Sequence, residues 1–247
     1  MLEKRKIFTK ILQSAAFMGI IILLGFFVKE YSTTIGLFKN IEVQIKGNQF
    51  VKDAQIQDQL YPHLTQSLLS LRLNEIQEDV INIDFIETVQ VSRVLPHTLL
   101  IQVVERNPML LLNINDVTFF MDVKGVILPA NRSSISFFPV PIITISEGSE
   151  QDDGKTHEIA EFFQFILNDY PLFYDNLSEV IISADKWTFF NDSKTRIFAT
   201  PENLFTQFKI LKNFEKTVYP NRRLDDYSYI DLRVDEQVVV KEKYRKG

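Results

Sequence analysis

The sequence predicts an α+β chain. A single apolar N-terminal helix leads into a small β-α-α-β-β module, then a larger β-domain whose antiparallel-leaning sheet is flanked by helices. Three observations carry this. Residues Ile11 to Val28 hold no charge. From Ile41 to Arg106 the pattern is one alternating run, two runs of helical period, then two more alternating runs. Beyond Pro108, short strand-like runs are interrupted by two segments of helical period.

The first ten residues, MLEKRKIFTK, carry Lys4, Arg5, Lys6 and Lys10 against Glu3. The next 18, ILQSAAFMGIIILLGFFV, are uncharged and apolar on every side. As a helix they span about 27 Å, close to the thickness of a hydrocarbon core. In hydrocarbon each backbone group must be paired within the segment, so a helix is required. Four cations precede the stretch, whereas Lys29 and Glu30 cancel just after it. The positive-inside bias therefore puts residues 1–10 in the cytoplasm and the remainder outside. A cleaved signal peptide is the rival reading, since Ala15 to Val28 is short enough for its apolar region. Against it, only Ser32-Thr33-Thr34 follows as a small-residue cluster, and that is no A-x-A site. Residues 29–38 read as a linker.

The first folded module, residues 39–107, opens with IEVQIKG, where Ile41, Val43 and Ile45 alternate with polar residues. Gly47-Asn48 is a turn signal. Ile56, Leu60 and Leu64 then recur at intervals of four, a helix with Asp53 as its N-cap. SLLSLRL has no clear period. Leu73, Ile76, Val80 and Ile83 form a second helical stripe, with Asn74 and Gln77 spaced as a capping box. ETVQVSRVL and TLLIQVVER read as strands reversed at Leu95-Pro96-His97-Thr98, where proline pre-sets the turn.

In the second module, residues 108–247, PMLLLNIND and VTFFMDVKGVILP read as a strand pair, with another turn at Asp122 to Gly125. PIITIS is a short strand. Ile159, Phe162, Phe163 and Ile166 share one helix face; Leu204, Phe208, Leu211, Phe214 and Val218 share another, with Thr200 as N-cap and Pro201 at the first position. VIISADKWTFF and TRIFAT are strands joined through Asn191-Asp192. Strand order is not readable. In YSYIDLRVDEQVVVKEK, Tyr229 to Val234 alternates, Asp235 to Gln237 reads as a turn or bulge, and Val238 to Lys243 reads as a last strand. Its three consecutive valines fit either a two-sided core strand or an edge with one face left for a partner.

The bulk numbers exclude several functions. Removing the first ten residues' four basic and one acidic side chains from 27 and 32 leaves 23 and 31, so the rest of the chain carries −8. A nucleic-acid binder shows the opposite field. With no cysteine, thiolate catalysis, disulfides and cysteine metal sites are excluded. The eight glycines fit no phosphate-binding spacing. His63, His97 and His157 lie far apart and read as surface residues. The pairs Asp152-Asp153 and Asp225-Asp226 read as solvated turns rather than catalytic carboxylates. Trp187 reads as sheet core before binding hot spot. Glu105-Arg106 at the module boundary is either a surface ion pair or, with Pro108, an inter-domain hinge. No catalytic, cofactor-binding or metal residue is assigned.

Four phrases, IEVQIKGNQFV, SLLSLRLNEI, VQVSRVLPHTLLIQVVERNP and YSYIDLRVDEQVVVK, resemble the FtsQ/DivIB family of bacterial cell-division proteins. The third matches the family's run at Arg93, Pro96, Thr98, Leu99, Ile101, Val103, Glu105, Arg106 and Pro108; the fourth matches at Tyr229, Asp231, Leu232 and Arg233. The short basic tail resembles the FtsQ form more than the DivIB form. The resemblance implies a POTRA domain over 39–107 and a C-terminal β-domain over 108–247. It implies a membrane-anchored scaffold, not an enzyme, without cofactor or small-molecule substrate. Such a scaffold binds FtsB- and FtsL-like division proteins outside the cytoplasmic membrane to promote or regulate septal peptidoglycan synthesis. The expected contact is strand addition along an edge formed by Arg233, Val234, Val238, Val239, Val240 and Lys241. Family members carry aromatic residues in this region where the chain has Val234 and Glu242, so its side-chain anchors differ. The alternatives are a membrane-anchored envelope hydrolase and a POTRA-bearing export component.

Overall fold

The computed structural model describes residues 2–34, 40–114, 117–145 and 153–244. Helix α1 (Leu2–Thr34) is longer than the apolar run. It begins inside the expected tail and continues through half of the expected linker, because no proline or glycine interrupts Lys29 to Thr34. Its stretch Gln13–Tyr31 is long and apolar enough to cross a membrane, and none of it is buried. The described chain divides into two compact units, Met1–Glu105 and Arg106–Gly247.

In the first unit, strand β1 (Glu42–Lys46) is followed by helices α2 (Asp53–Leu60) and α3 (Leu73–Ile81), then strands β2 (Ile86–Val94) and β3 (Thr98–Glu105). The sheet order is β1-β3-β2, with β3 parallel to β1 and antiparallel to β2. A parallel pair needs a crossover, and the helices supply it. Ile56, Leu60, Ile76 and Val80 are fully buried, and so are Leu99 and Ile101 of β3. Burying each contributes roughly 1.5–3 kcal/mol.

Three local expectations are corrected. The N-cap of α2 is Lys52, whose N–H donates to the Gln55 side-chain oxygen at 3.1 Å. Asp53 is the first helical residue and accepts from the Asn48 amide at 2.6 Å. The N-cap of α3 is Arg72, which pairs with Glu75 at 2.6 Å, so Asn74 and Gln77 form no capping box. SLLSLRL is neither helix nor strand until Leu73, which opens α3. Leu68 and Leu71 are buried as anchors, and their carbonyls accept from the Arg93 guanidinium, at 2.9 Å for Leu68.

The second unit contributes β4 (Pro108–Ile114), β5 (Val117–Asp122), β6 (Ile127–Pro129), α4 (Arg132–Phe137), β7 (Ile142–Ile145), α5 (Asp153–Asp169) and α6 (Pro171–Asp175). There follow β8 (Leu177–Ile182), β9 (Trp187–Asn191), β10 (Arg196–Ala199), α7 (Leu204–Val218), β11 (Tyr227–Asp231) and β12 (Val239–Glu242). One nine-stranded sheet runs β12-β11-β10-β9-β8-β7-β4-β5-β6. Five of its eight pairings are antiparallel; β4–β7, β7–β8 and β10–β11 are parallel. The crossovers through α5 and α7 step the same way across the sheet from strands of the same direction. Right-handed connections then put both helices on one face. Phe162 of α5 and Phe208 of α7 meet at 5.0 Å over Phe189 and Trp187. Trp187 is 1% exposed and belongs to this core.

Helix α4 was not expected from sequence. Asn131 caps it, accepting from the Ser133 and Ser134 amides, and Phe138 just beyond it meets Phe120 at 5.7 Å. Phe120 points away from its neighbour Met121, which lies in the main core, so this segment covers the other face at that end. Thr200 does not cap α7 directly. A short turn at Pro201–Asn203 intervenes, and the Thr200 hydroxyl accepts from Gln207 at 2.7 Å.

Two predictions follow from this packing. Gly47 has φ +93°, and a Cβ there would stand 2.0 Å from the Val103 carbonyl oxygen. Gly47→Ala should therefore lower the stability of the first unit by at least about 2 kcal/mol in denaturant titrations. In the second unit, Tyr174 donates to the Met109 carbonyl at 2.6 Å, and burial pushes its hydroxyl up to about 12. An unfolded tyrosine loses its proton near pH ~10. The native state therefore binds the proton more tightly, and stability falls as pH rises between these values. Tyr174→Phe should flatten the alkaline stability profile there, as read by thermal unfolding.

Candidate partner-binding edge

Strand β12 ends the nine-stranded sheet; among the described residues it has a neighbour, β11, on one side only. Asp231 faces Val239, Ile230 faces Val240, and Tyr229 faces Lys241, with a bulge between Tyr227 and Tyr229. The reversal occurs at Val234 to Gln237, with Glu236 at φ +56°. Alternation breaks in the sequence because the chain turns there. Strand β11 stops at Asp231, so Arg233 and Val234 lie in the connection rather than on the edge strand expected from sequence. Val234 is 43% exposed there instead of facing inward.

The valine run divides between two environments. Val238 and Val240 pack against the main core, whereas Val239 is exposed on the opposite face with Lys241. The last strand is therefore not a two-sided core strand; its open face carries one apolar side chain, Val239, and one charged, Lys241.

Which backbone groups point outward follows from the ladder. The Lys243 N–H donates to the Asp226 carbonyl at 2.8 Å, and the Lys241 carbonyl accepts from the Ser228 hydroxyl at 3.0 Å. Both therefore face β11. Backbone direction alternates along a strand, so the N–H and C=O groups of Val240 and Glu242 face outward. The opposite edge, β6, has three residues and ends in Pro129, which blunts it.

Side chains distant in sequence hold the β11–β12 hairpin in place. The Lys243 ammonium donates to the Ser193 carbonyl at 2.7 Å and reaches the Thr195 hydroxyl at 3.3 Å. Thr195, fully buried, donates its hydroxyl to the Tyr227 carbonyl at 2.8 Å and its backbone N–H to the Asn191 side-chain oxygen at 2.8 Å. Asn191 in turn donates to Asp225 at 2.6 Å. Arg222 pairs with Glu242 at 3.3 Å. Apart from Asn191 and Thr195, these partners lie 20 or more residues apart, and nothing local in the sequence marks them. At the other end Arg233 bonds Asp231 at 2.6 and 2.8 Å and stacks over Phe198 at 5.3 Å. That hydrogen bonding holds the Asp231 carboxyl below its ordinary value.

The boundary residues act within separate units. The Glu105 carboxylate accepts the Phe50 and Val51 amides at 2.9 and 2.7 Å in the first unit. Arg106 bonds the buried Asp122 carboxylate at 2.9 Å in the second, and Pro108 starts β4 opposite Asp122. Glu105 and Arg106 are thus not paired with each other.

A cleft of about 620 Å³ lies beside α6 and α7, lined by Tyr170, Leu172, Phe173, Lys216, Tyr219 and Arg223 among others. Three carboxylates line it, Asp169, Glu215 and Asp225; Glu215 is held by Tyr170 and Asp225 by Asn191. His63 differs from expectation. It is half-buried and paired with Asp79 at 2.7 Å, whereas His157 is exposed beside Glu161. Asp225 and Asp226 lie in the short turn Leu224–Asp226, which Asp226 caps by accepting the Arg223 N–H at 2.9 Å; Asp152 lies outside the described residues. Among the described residues no cluster of three metal-binding side chains occurs.

A family model described as POTRA domain, FtsQ-type, matches residues 38–106, and one described as FtsQ/DivIB, C-terminal related, matches residues 107–241. The cell division protein FtsQ of Rickettsia felis is 30% identical over 216 residues, covering 87% of this chain and 76% of that one. FtsQ of Rickettsia bellii is 30% identical over 217 residues with the same coverage. DivIB of Clostridium acetobutylicum is 20% identical over 197 residues, 77% of each chain. The major extracytoplasmic domain of DivIB from Geobacillus stearothermophilus aligns with 47% of this chain and 90% of its own length, at 13% identity and a TM-score of 0.31.

If the Lys243 network fastens the edge, Lys243→Met should speed amide exchange across Val239–Glu242. Global stability should change by less than about 1.5 kcal/mol, the net worth of an ordinary hydrogen bond. Exchange mass spectrometry reads the first and chemical denaturation the second.

Proposed function

Because the chain belongs to the FtsQ/DivIB family of bacterial cell-division proteins, we propose that it is a non-catalytic scaffold of the division machinery, anchored in the cytoplasmic membrane by α1. In this reading its N-terminus is cytoplasmic and both folded units lie outside, an orientation that the charge asymmetry around the apolar run supports. It binds FtsB- and FtsL-like partners and so promotes or regulates septal peptidoglycan synthesis. The observation that carries this reading is the open outer edge of β12.

The mechanism is association. A partner segment adds as a strand beside β12, pairing with the outward groups of Val240 and Glu242. Val239, Val240 and Lys241 present the side chains beside which it lies, and Val238 closes the core beneath. Arg233 and Val234 flank the edge from the connection. Glu105, Arg106 and Pro108 serve as the hinge, with one anchor in each unit and a single peptide bond between Glu105 and Arg106. A hydrolase would need carboxylates free to reach a substrate. Two of the cleft's three carboxylates, Glu215 and Asp225, are instead engaged by neighbours, which supports the scaffold reading.

Proline substitution separates the two sides of the edge strand. Val240→Pro removes an outward donor and leaves the ladder to β11 intact. The full-length protein should stay folded in the membrane while capture of a co-expressed FtsB-type partner drops at least tenfold. Val239→Pro removes an inward donor and should loosen the hairpin itself. Unchanged capture by Val240→Pro would refute strand addition.

A further inference from the structure

We infer that β12 selects its partner by charge, taking an extended segment that sets a carboxylate opposite Lys241 and apolar side chains opposite Val239 and Val240. This rests on the strand-addition reading and specifies the chemistry of the added strand.

The rows that cross the sheet dictate the choice. On the open face one row runs Arg196, Tyr229, Lys241, and the next runs Phe198, Asp231, Val239. On the core face Ile197, Ile230 and Val240 form a third. An added strand extends each row by one residue. The first row is cationic at two of its three positions, and among the described residues neither Arg196 nor Lys241 has an ion-pair partner. The one acidic residue in these rows, Asp231, is already bonded by Arg233 through two oxygens. Within these rows the unspent charge is therefore positive; Asp235 and Glu236 lie outside them, in the hairpin turn. Because Lys241 turns its backbone inward, an antiparallel partner residue opposite it occupies a non-hydrogen-bonded position, where Cβ atoms approach most closely. Opposite Val240 an apolar side chain would extend the core, and opposite Val239 it would cover a residue that is 39% exposed. A second copy of this chain fits less well: antiparallel self-pairing centred on Lys241 sets two lysines against each other.

The test uses the full-length chain in lipid nanodiscs and two fluorescent peptides that differ at one residue, Thr-Thr-Glu-Val-Val-Thr and Thr-Thr-Lys-Val-Val-Thr. In antiparallel register the variable residue falls opposite Lys241. The glutamate peptide should bind about fivefold more tightly than the lysine peptide, the upper end for one cross-strand charge pair. Lys241→Glu should reverse the preference, and Val240→Pro should abolish binding of both. Equal binding of the two peptides, still abolished by Val240→Pro, would overturn charge selection and leave strand addition standing. Binding of either peptide that Val240→Pro does not touch, or no binding at all, would overturn both. Self-association that Val240→Pro abolishes, with no peptide bound, would make a second copy the occupant and overturn the proposal.

Discussion

The second unit rests on the aromatic contact between α5 and the middle of the sheet. Phe162 touches Trp187, Phe189 and Phe208 at centroid distances of 5.6, 5.8 and 5.0 Å, and Phe189 meets Phe208 at 4.7 Å. Each pair adds about 0.5–1.5 kcal/mol beyond the area it buries. Because α5 and α7 reach the same rings from two crossovers, this contact fixes β7 to β10 in one frame. Strands β11 and β12 then extend outward from that frame.

That geometry explains why the last strand is half committed. The core supplies apolar neighbours to Val238 and Val240, but α5 and α7 lie on that face only and α4 covers the other face at the far end of the sheet, so Val239 and Lys241 meet solvent. In the plane of the sheet the ladder to β11 satisfies alternate backbone groups and leaves the others facing outward. A free edge of this kind invites unwanted pairing unless it is short or charged. Strand β12 is both: four residues long, with Lys241 and Glu242 in its second half. The polar network from Asn191 through Thr195 to Lys243 keeps the hairpin in register without using the outward groups.

Some of this was legible in the sequence. The stripe Ile159–Phe162–Phe163–Ile166 is wholly buried, and so are Leu204, Phe208 and Leu211 of the second, whereas its last members Phe214 and Val218 are only half-buried toward the end of α7. The hairpin of β2 and β3 was legible from two alternating runs around Leu95-Pro96. Helix caps were misread by one or two residues, at Asp53 and Asn74, where neighbouring polar residues compete at little cost. Helix α4 was missed because RSSISF is short and serine-rich, although Asn131 followed by Ser134 was a readable capping signal. SLLSLRL could not be read because Arg93, more than twenty residues away, sets its conformation.

For the candidate edge the division is sharper. The sequence by itself determined an apolar helical run behind a basic segment, an acidic folded part without cysteine, and a last strand whose alternation breaks. Those depend on composition and on neighbours along the chain. Only the tertiary structure decided that the break is a hairpin turn, that β12 lies outermost, and that Val240 faces the core while Val239 does not. Strand order depends on crossovers between distant segments, and no periodicity within a single segment encodes which of its two edges will meet another strand.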